Sequence, residues 1–175
     1  MKTGNYRILN HPITSQKKVT ITFDGKKYGA YKGESLASAL IAHNIKVVGR
    51  SFKYHRPRGL LSIGSEEPNG LFRMGTGPKI EPNISATQIE VYDGLVVESQ
   101  NRWPSLNFDF GAINSIFSKL IPAGFYYKTF MWPSSMWEKY EWFIRHAAGL
   151  GKAAEEHQDP DRYEHINYHC DILIA

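Results

Sequence analysis

Two alternating runs meet at Asp24-Gly25 near the head of the chain, Val19-Thr20-Ile21-Thr22-Phe23 before it and residues 26–31 after it. Apolar residues at every second place put one face of a strand on a core, and Asp-Gly supplies the left-handed backbone of a two-residue hairpin turn. A hairpin therefore opens the fold. Gly33-Glu34-Ser35 then gives a turn and a polar cap, and Leu36, Ala39, Leu40 and His43 follow at helical spacing. The β-branched run Ile45-Lys46-Val47-Val48, residues 59–63 and residues 71–74 read as further strands. Ile89-Glu90-Val91-Tyr92, Asp93-Gly94 and Leu95-Val96-Val97 read as a closing hairpin. Hairpin, helix, loop and hairpin make an α+β fold of the β-grasp type.

The loop at residues 58–72 has the frame of an iron–sulfur loop of the ferredoxin-like kind without its ligands. A plant-type cluster needs thiolates spaced C-x4-C-x2-C, with a fourth further on. On this chain that spacing falls on Ser62, Glu67 and Gly70, and the fourth position, ahead of the turn at Asp93-Gly94, falls near Thr87. None is a thiol. Cys170 is the single cysteine of the 175 residues, and one thiolate cannot hold a cluster that wants four. The sequence thus leads to a domain that holds no metal and carries no electrons through iron.

The net charge is +4, and its densest concentration is Arg50, Lys53, His55, Arg56 and Arg58, interrupted by Phe52 and Tyr54. One nine-residue patch on a chain that also holds 17 acids is a slight footprint for nucleic acid, which is excluded as a partner. Two readings stay open. The run is either a solvated face, or a contact for a partner subunit or a cofactor phosphate presented by the stiff Pro57-Arg58-Gly59 turn. Arg50, Lys53, Arg56 and Arg58 are the candidate binding residues.

The second half is organised differently. Asp109 can cap a helix with Ile113, Ile116, Phe117 and Leu120 on one face, stopped by Pro122. Ser135 and Glu138 form a capping box ahead of Met136, Trp137, Tyr140, Phe143, Ile144 and Ala147, a second amphipathic helix that ends near Gly149. Between them, residues 124–132 are an aromatic run with one lysine. Lys128 can meet a phosphate or a reduced flavin there, or the run is an aromatic plug that docks the arm. All four tryptophans lie between positions 103 and 142, so this half must bury them against something. His157, His165 and His169 with Cys170 lack a paired C-x2-C or H-E-x-x-H spacing, and residues 152–162 form a charged linker, so zinc is declined. Gly75-Thr76-Gly77-Pro78 has no Lys-Ser after it and is a turn. Cys170 heads a strand expected to be buried, an inert thiol. No stretch approaches the roughly 20 apolar residues of a membrane span and residues 1–18 are polar, which points to a cytoplasmic protein without a leader.

Several motifs together carry a resemblance. Residues 49–59 (GRSFKYHRPRG), Glu66-Glu67-Pro68-Asn69, Glu81-Pro82-Asn83, residues 86–95 (ATQIEVYDGL), residues 100–106 (QNRWPSL) and residues 122–133 (PAGFYYKTFMWP) are similar to the N-terminal part of the α subunit of heterotetrameric sarcosine oxidases, from about residue 17 to the last residue. The resemblance implies a flexible N-terminus at 1–16, a degenerate β-grasp domain at 17–99, a helical and aromatic connecting arm at 100–168, and at 169–175 the first strand of a truncated Rossmann-type, dinucleotide-binding domain. It also implies a complex with β, γ and δ subunits that oxidises sarcosine with FAD, passes electrons to FMN and then to oxygen, and hands the one-carbon unit to tetrahydrofolate, with NAD bound by the α subunit. None of those sites maps onto these residues, so the segment is expected to bind no cofactor alone and to serve structure and assembly. The alternatives are a fragment of a related amine or opine oxidoreductase, whose β-grasp loops keep their cysteines, and a stand-alone, non-redox interaction module.

Overall fold

In the computed structural model the described residues are 4, 6–8, 10–117, 132–147, 149–154, 158, 167 and 169–172. Strand β1 (Lys18–Phe23) pairs antiparallel with β2 (Lys26–Tyr31), Ile21 opposite Tyr28. Asp24 and Gly25 both have positive φ, 46° and 75°, as the tight turn demands. Val19, Ile21 and Phe23 face the core while the threonines between them are half-exposed, so the alternation in the sequence is the alternation in space. Helix α1 (Leu36–Ala42) starts where the Ser35 hydroxyl accepts from the Ser38 N–H at 3.2 Å. Its buried face is Leu36, Ala37, Ala39, Leu40 and Ala42, and the small alanines let it lie close on the sheet. Asn44, with φ 60°, ends it.

The sheet is mixed, of the ferredoxin-like kind, with strand order β2-β1-β7-β5-β6. Strands β5 (Leu71–Met74), β6 (Glu81–Ser85) and β7 (Val96–Ser99) complete it, β7 running parallel to β1 and antiparallel to β5. Phe23 and Phe72 meet edge-on at 5.3 Å in the middle, with Leu36, Leu40, Val48, Val91, Leu95 and Val97 fully enclosed around them.

Several expectations are corrected. Residues 89–97 are not a hairpin. Asp93-Gly94 does turn the chain, but residues 89–91 cross the head of α1, where the Leu36 N–H donates to Ile89 C=O at 2.8 Å and the Val91 N–H to Glu34 C=O at 2.9 Å. β7 is thereby free to fill the centre of the sheet, with pairing on both edges. Residues 45–48 and 59–63 are not strands either. The short hairpin is β3 (Gly49–Arg50) against β4 (Pro57–Arg58), begun by the Val48 N–H on Arg58 C=O at 2.8 Å. Pro82 masks the strand pattern of β6 in the sequence, and it is tolerated there since β6 is an edge strand.

In the N-terminal stretch, Tyr6 and Arg7 contact the domain. The Tyr6 N–H donates to Ala42 C=O at 3.2 Å, and the Arg7 guanidinium grips the Glu34 carboxylate with both Nη atoms and lies 5.0 Å over the Tyr31 ring. Both side chains of that pair are under 10% exposed. In the arm, Asp109 caps as expected, its carboxylate accepting from the Gly111 N–H at 2.7 Å, but Phe110–Ser115 is a 3-10 helix. Residues 118–131, with Leu120 and Lys128, lie outside the described residues, as do His157 and His165. Helix α2 (Trp137–Ala147) follows a 3-10 turn, Ser134–Met136, without the expected capping box. It closes as expected at Gly149, whose φ of 69° allows its N–H to reach His146 C=O and the Leu150 N–H to reach Arg145 C=O. Residues 169–172 form no strand, and Cys170 is exposed rather than buried.

Truncating Phe72 to Ala removes the ring on which both sides of the core converge, and is expected to cost about 3–5 kcal/mol in a urea titration followed by circular dichroism. Trp103, Phe108, Phe110, Ile113, Ile116 and Phe117 are all at least half exposed, and the first three rings touch at about 5 Å. So large an apolar surface is expected to bind a hydrophobic dye and to make the isolated chain self-associate; a monodisperse chain with no dye fluorescence would contradict this.

Candidate functional site

The loop that leaves β4 and enters β5 is folded around one carboxylate. Glu67 is 3% exposed. Its Oε2 accepts from the N–H groups of Leu61 at 2.7 Å and Ser62 at 2.6 Å, and its Oε1 from the Asn69 N–H at 2.8 Å. Burial works to raise the carboxyl, and the backbone N–H groups of Ser62, Asn69, Leu61 and Gly70 more than offset it, holding the group below the ordinary carboxylate value. The Asn69 side chain ties back to Gly59 C=O at 3.0 Å, and the Thr87 hydroxyl donates to Gly64 C=O at 2.8 Å. These bonds keep residues 59–63 from extending into a strand: the Leu61 and Ser62 amides face inward to the carboxylate.

The basic run is not one face. Arg50 is turned in, its guanidinium donating to Leu106 C=O through Nε at 2.9 Å and to His55 C=O through Nη1 at 3.0 Å. Beside it, His55 Nδ1 lies 3.0 Å from Asp109 Oδ2, and the Asp109 side chain is wholly buried. Arg50, His55 and Asp109 therefore clamp the β3–β4 hairpin to residues 106–111. Gly111 packs so closely that a Cβ there would stand 2.4 Å from the His55 ring. Lys53 and Arg56 stand over the Tyr54 ring, each 4.8 Å from its centre. Arg58 is exposed, makes no ion pair among the described residues, and lines a cleft of about 470 Å³ with Asn69, Gln100 and Asn101. Of the four candidates on this hairpin, Arg56 and Arg58 face solvent, while Arg50 is structural. Lys128 lies outside the described residues.

The clamp partner Asp109 reads in the sequence as a helix cap alone, and nothing in the sequence marks the Arg7–Glu34 pair. Both join residues far apart in sequence, and no local pattern carries them. Glu67 did have a signal: an acid standing at a ligand position of a loop otherwise rich in turn residues. Among the described residues no group of three or more His, Cys, Asp or Glu side chains converges as a metal site.

Residues 16–102 match the family model of the 2Fe-2S iron-sulfur cluster binding domain. The chain is 57% identical to the sarcosine oxidase subunit alpha of Rhizobium meliloti (strain 1021) over 98% of its own length, and spans 17% of that protein. It is 38% identical to the sarcosine oxidase subunit alpha of Corynebacterium sp. (strain U-96) over 86 residues, 47% of the chain and 9% of that protein. Among solved structures, L-proline dehydrogenase from P. horikoshii aligns at 35% identity over 47% of this chain and 15% of its own, with a TM-score of 0.36.

The residues present do not fit the cluster which that domain family implies. Glu67 is committed to three backbone N–H groups, Thr87 to Gly64, and Ser62 Oγ is shielded without a hydrogen-bond partner. At Gly70 there is no side chain, and a Cβ would stand 3.0 Å from Leu60 and 3.3 Å from Ala86. Anaerobic treatment of the chain with iron and sulfide is therefore expected to leave it colourless; a brown product with stoichiometric iron would overturn this. By sequence, then, the chain is a relative of the sarcosine oxidase α subunit, and its residues 16–102 are a ferredoxin-like domain of the 2Fe-2S type whose ligand positions hold no thiol.

Proposed function

We propose that this chain is the N-terminal, non-catalytic segment of a sarcosine oxidase α subunit, serving the structure and assembly of a complex with β, γ and δ subunits. The complex is a CH–NH oxidoreductase that demethylates sarcosine oxidatively, using oxygen and tetrahydrofolate, to give glycine, hydrogen peroxide and methylenetetrahydrofolate. The observation that carries this reading is the 57% identity held along 98% of the chain to a sarcosine oxidase subunit alpha. In the whole complex FAD takes the electrons from sarcosine and passes them to FMN and oxygen, NAD is bound by the α subunit and tetrahydrofolate takes the carbon, all outside these residues. Residues 100–168 are the connecting arm, and 169–175 begin the dinucleotide-binding domain. No helix among the described residues is long and apolar enough to cross a membrane, which is compatible with a cytoplasmic complex.

Within that role, the outward cations Arg56 and Arg58 meet an anionic subunit surface or a cofactor phosphate. Arg58 stands in a cleft lined also by Arg50, Ser51, Asn69, Gln100 and Asn101 and by no carboxylate, so an anion there meets no competing acid. A charge-assisted hydrogen bond shielded from water contributes about 1.5–3 kcal/mol, against under about 1 for an exposed pair. The double substitution Arg56→Ala with Arg58→Ala in the complete enzyme is expected to weaken tetramer assembly or flavin retention without unfolding the domain. Assembly, flavin content and sarcosine turnover equal to the parent's would make this face merely solvated.

A further inference from the structure

We infer that Glu67 takes the place of an iron–sulfur cluster in this domain: its carboxylate is the internal anion around which the loop at residues 59–70 is built. A cluster loop turns its backbone N–H groups toward the sulfurs, which carry negative charge. When the thiolates are gone those amides lose their acceptors, and a buried N–H without one is costly. Here the Leu61, Ser62 and Asn69 N–H groups all converge on a single side chain, 3% exposed, that itself stands at the second ligand position of the frame. Both oxygens are used, Oε2 twice and Oε1 once. Gly70, at the third position, adds no side chain, and a Cβ there would stand 3.0 Å from Leu60 and 3.3 Å from Ala86. Thr87, at the fourth, has turned its hydroxyl to Gly64 C=O and holds the other wall of the loop.

The consequence is a domain with the loop shape of a redox module and no dependence on iron for it. A metal-built loop folds when its metal arrives, whereas this loop carries its anion in its own sequence and is complete when the chain is. Unlike a cluster, the carboxylate exchanges no electrons, so the loop keeps one charge and one shape through every redox state of whatever surrounds it.

Amide hydrogen exchange on the 175-residue chain tests this, with the isosteric but neutral Glu67→Gln. A glutamine keeps one carbonyl oxygen and turns an NH2 toward the remaining donors. Either the Asn69 amide, or the Leu61 and Ser62 pair, is therefore expected to exchange about tenfold faster or more, while the Thr22 and Val48 amides, bonded to Leu95 and Arg58 carbonyls, are unchanged. Unchanged protection of all three loop amides in Glu67→Gln would overturn the proposal, since shape alone would then be holding the loop. Should the variant fail to fold, the parent chain decides. Among the described residues no backbone carbonyl accepts from Leu61, Ser62 or Asn69, so protection of these amides in the parent supports the carboxylate as their acceptor, and exchange at the rate of an open coil overturns it. A third arm separates anion from metal: expression in iron-depleted medium is expected to leave the exchange pattern of the loop as it is, and a loop ordered by added iron would overturn the assignment.

Discussion

The Asp24 carboxylate joins three parts of this structure that have no other reason to meet. It sits in the first hairpin turn, and there accepts from the Ser99 N–H at 2.8 Å, the Ser99 hydroxyl at 2.7 Å and the Arg102 guanidinium at 3.1 Å. Arg102 in turn donates to the Ser99 hydroxyl and to Pro104 C=O. The hairpin, the end of the central strand β7 and the first residues of the arm are thereby fixed to one point. β7 sits between β1 and β5, so its register sets the whole sheet. The chain leaves the sheet in the direction that lets residues 106–111 close over the β3–β4 hairpin.

The same device recurs at each irregular part of the fold. Glu34, Glu67 and Asp109 are all buried acids, a costly choice unless each charge is matched. Glu34 is matched by Arg7 and the Tyr31 N–H, Glu67 by backbone amides of its own loop, and Asp109 by His55, the nearby Arg50 and the Gly111 N–H. Each joins a loop or a terminus to the regular core. The apolar core explains the sheet and α1; these carboxylates tie the connections to that core.

This distribution accords with a segment whose work is to be held and to hold. Its regular half is enclosed, whereas the arm keeps Trp103, Phe108, Phe110, Ile113, Ile116 and Phe117 half exposed or more. Aromatic side chains in such numbers stabilise by being covered. The loop that in a redox ferredoxin would present a cluster presents a closed polar knot instead, with Leu61 and Ile63 projecting into solvent beside it.

The hairpin at Asp24-Gly25, the capped helix α1 and the missing thiolates were legible in the residues themselves, because turn chemistry, helical spacing and ligand identity are local properties. The ends of the short strands were not. Residues 89–92 and 45–48 have strand composition, yet an extended run becomes a strand when a partner edge is available, and the neighbours that decide this come from 40 or more residues away in the case of Ser35 with Glu90. The basic run shows the same limit. Its sequence marks four cations and a histidine and leaves their directions open, and it takes residues 106–111 folding back to turn Arg50 and His55 inward and leave Arg56 and Arg58 outside. The sequence by itself determined that no cluster can be held, since no fold can make a thiolate from serine, glutamate, glycine or threonine. The tertiary structure alone decided what stands there instead, because the amides that converge on Glu67 become a site when the loop brings them within hydrogen-bond distance of one carboxylate.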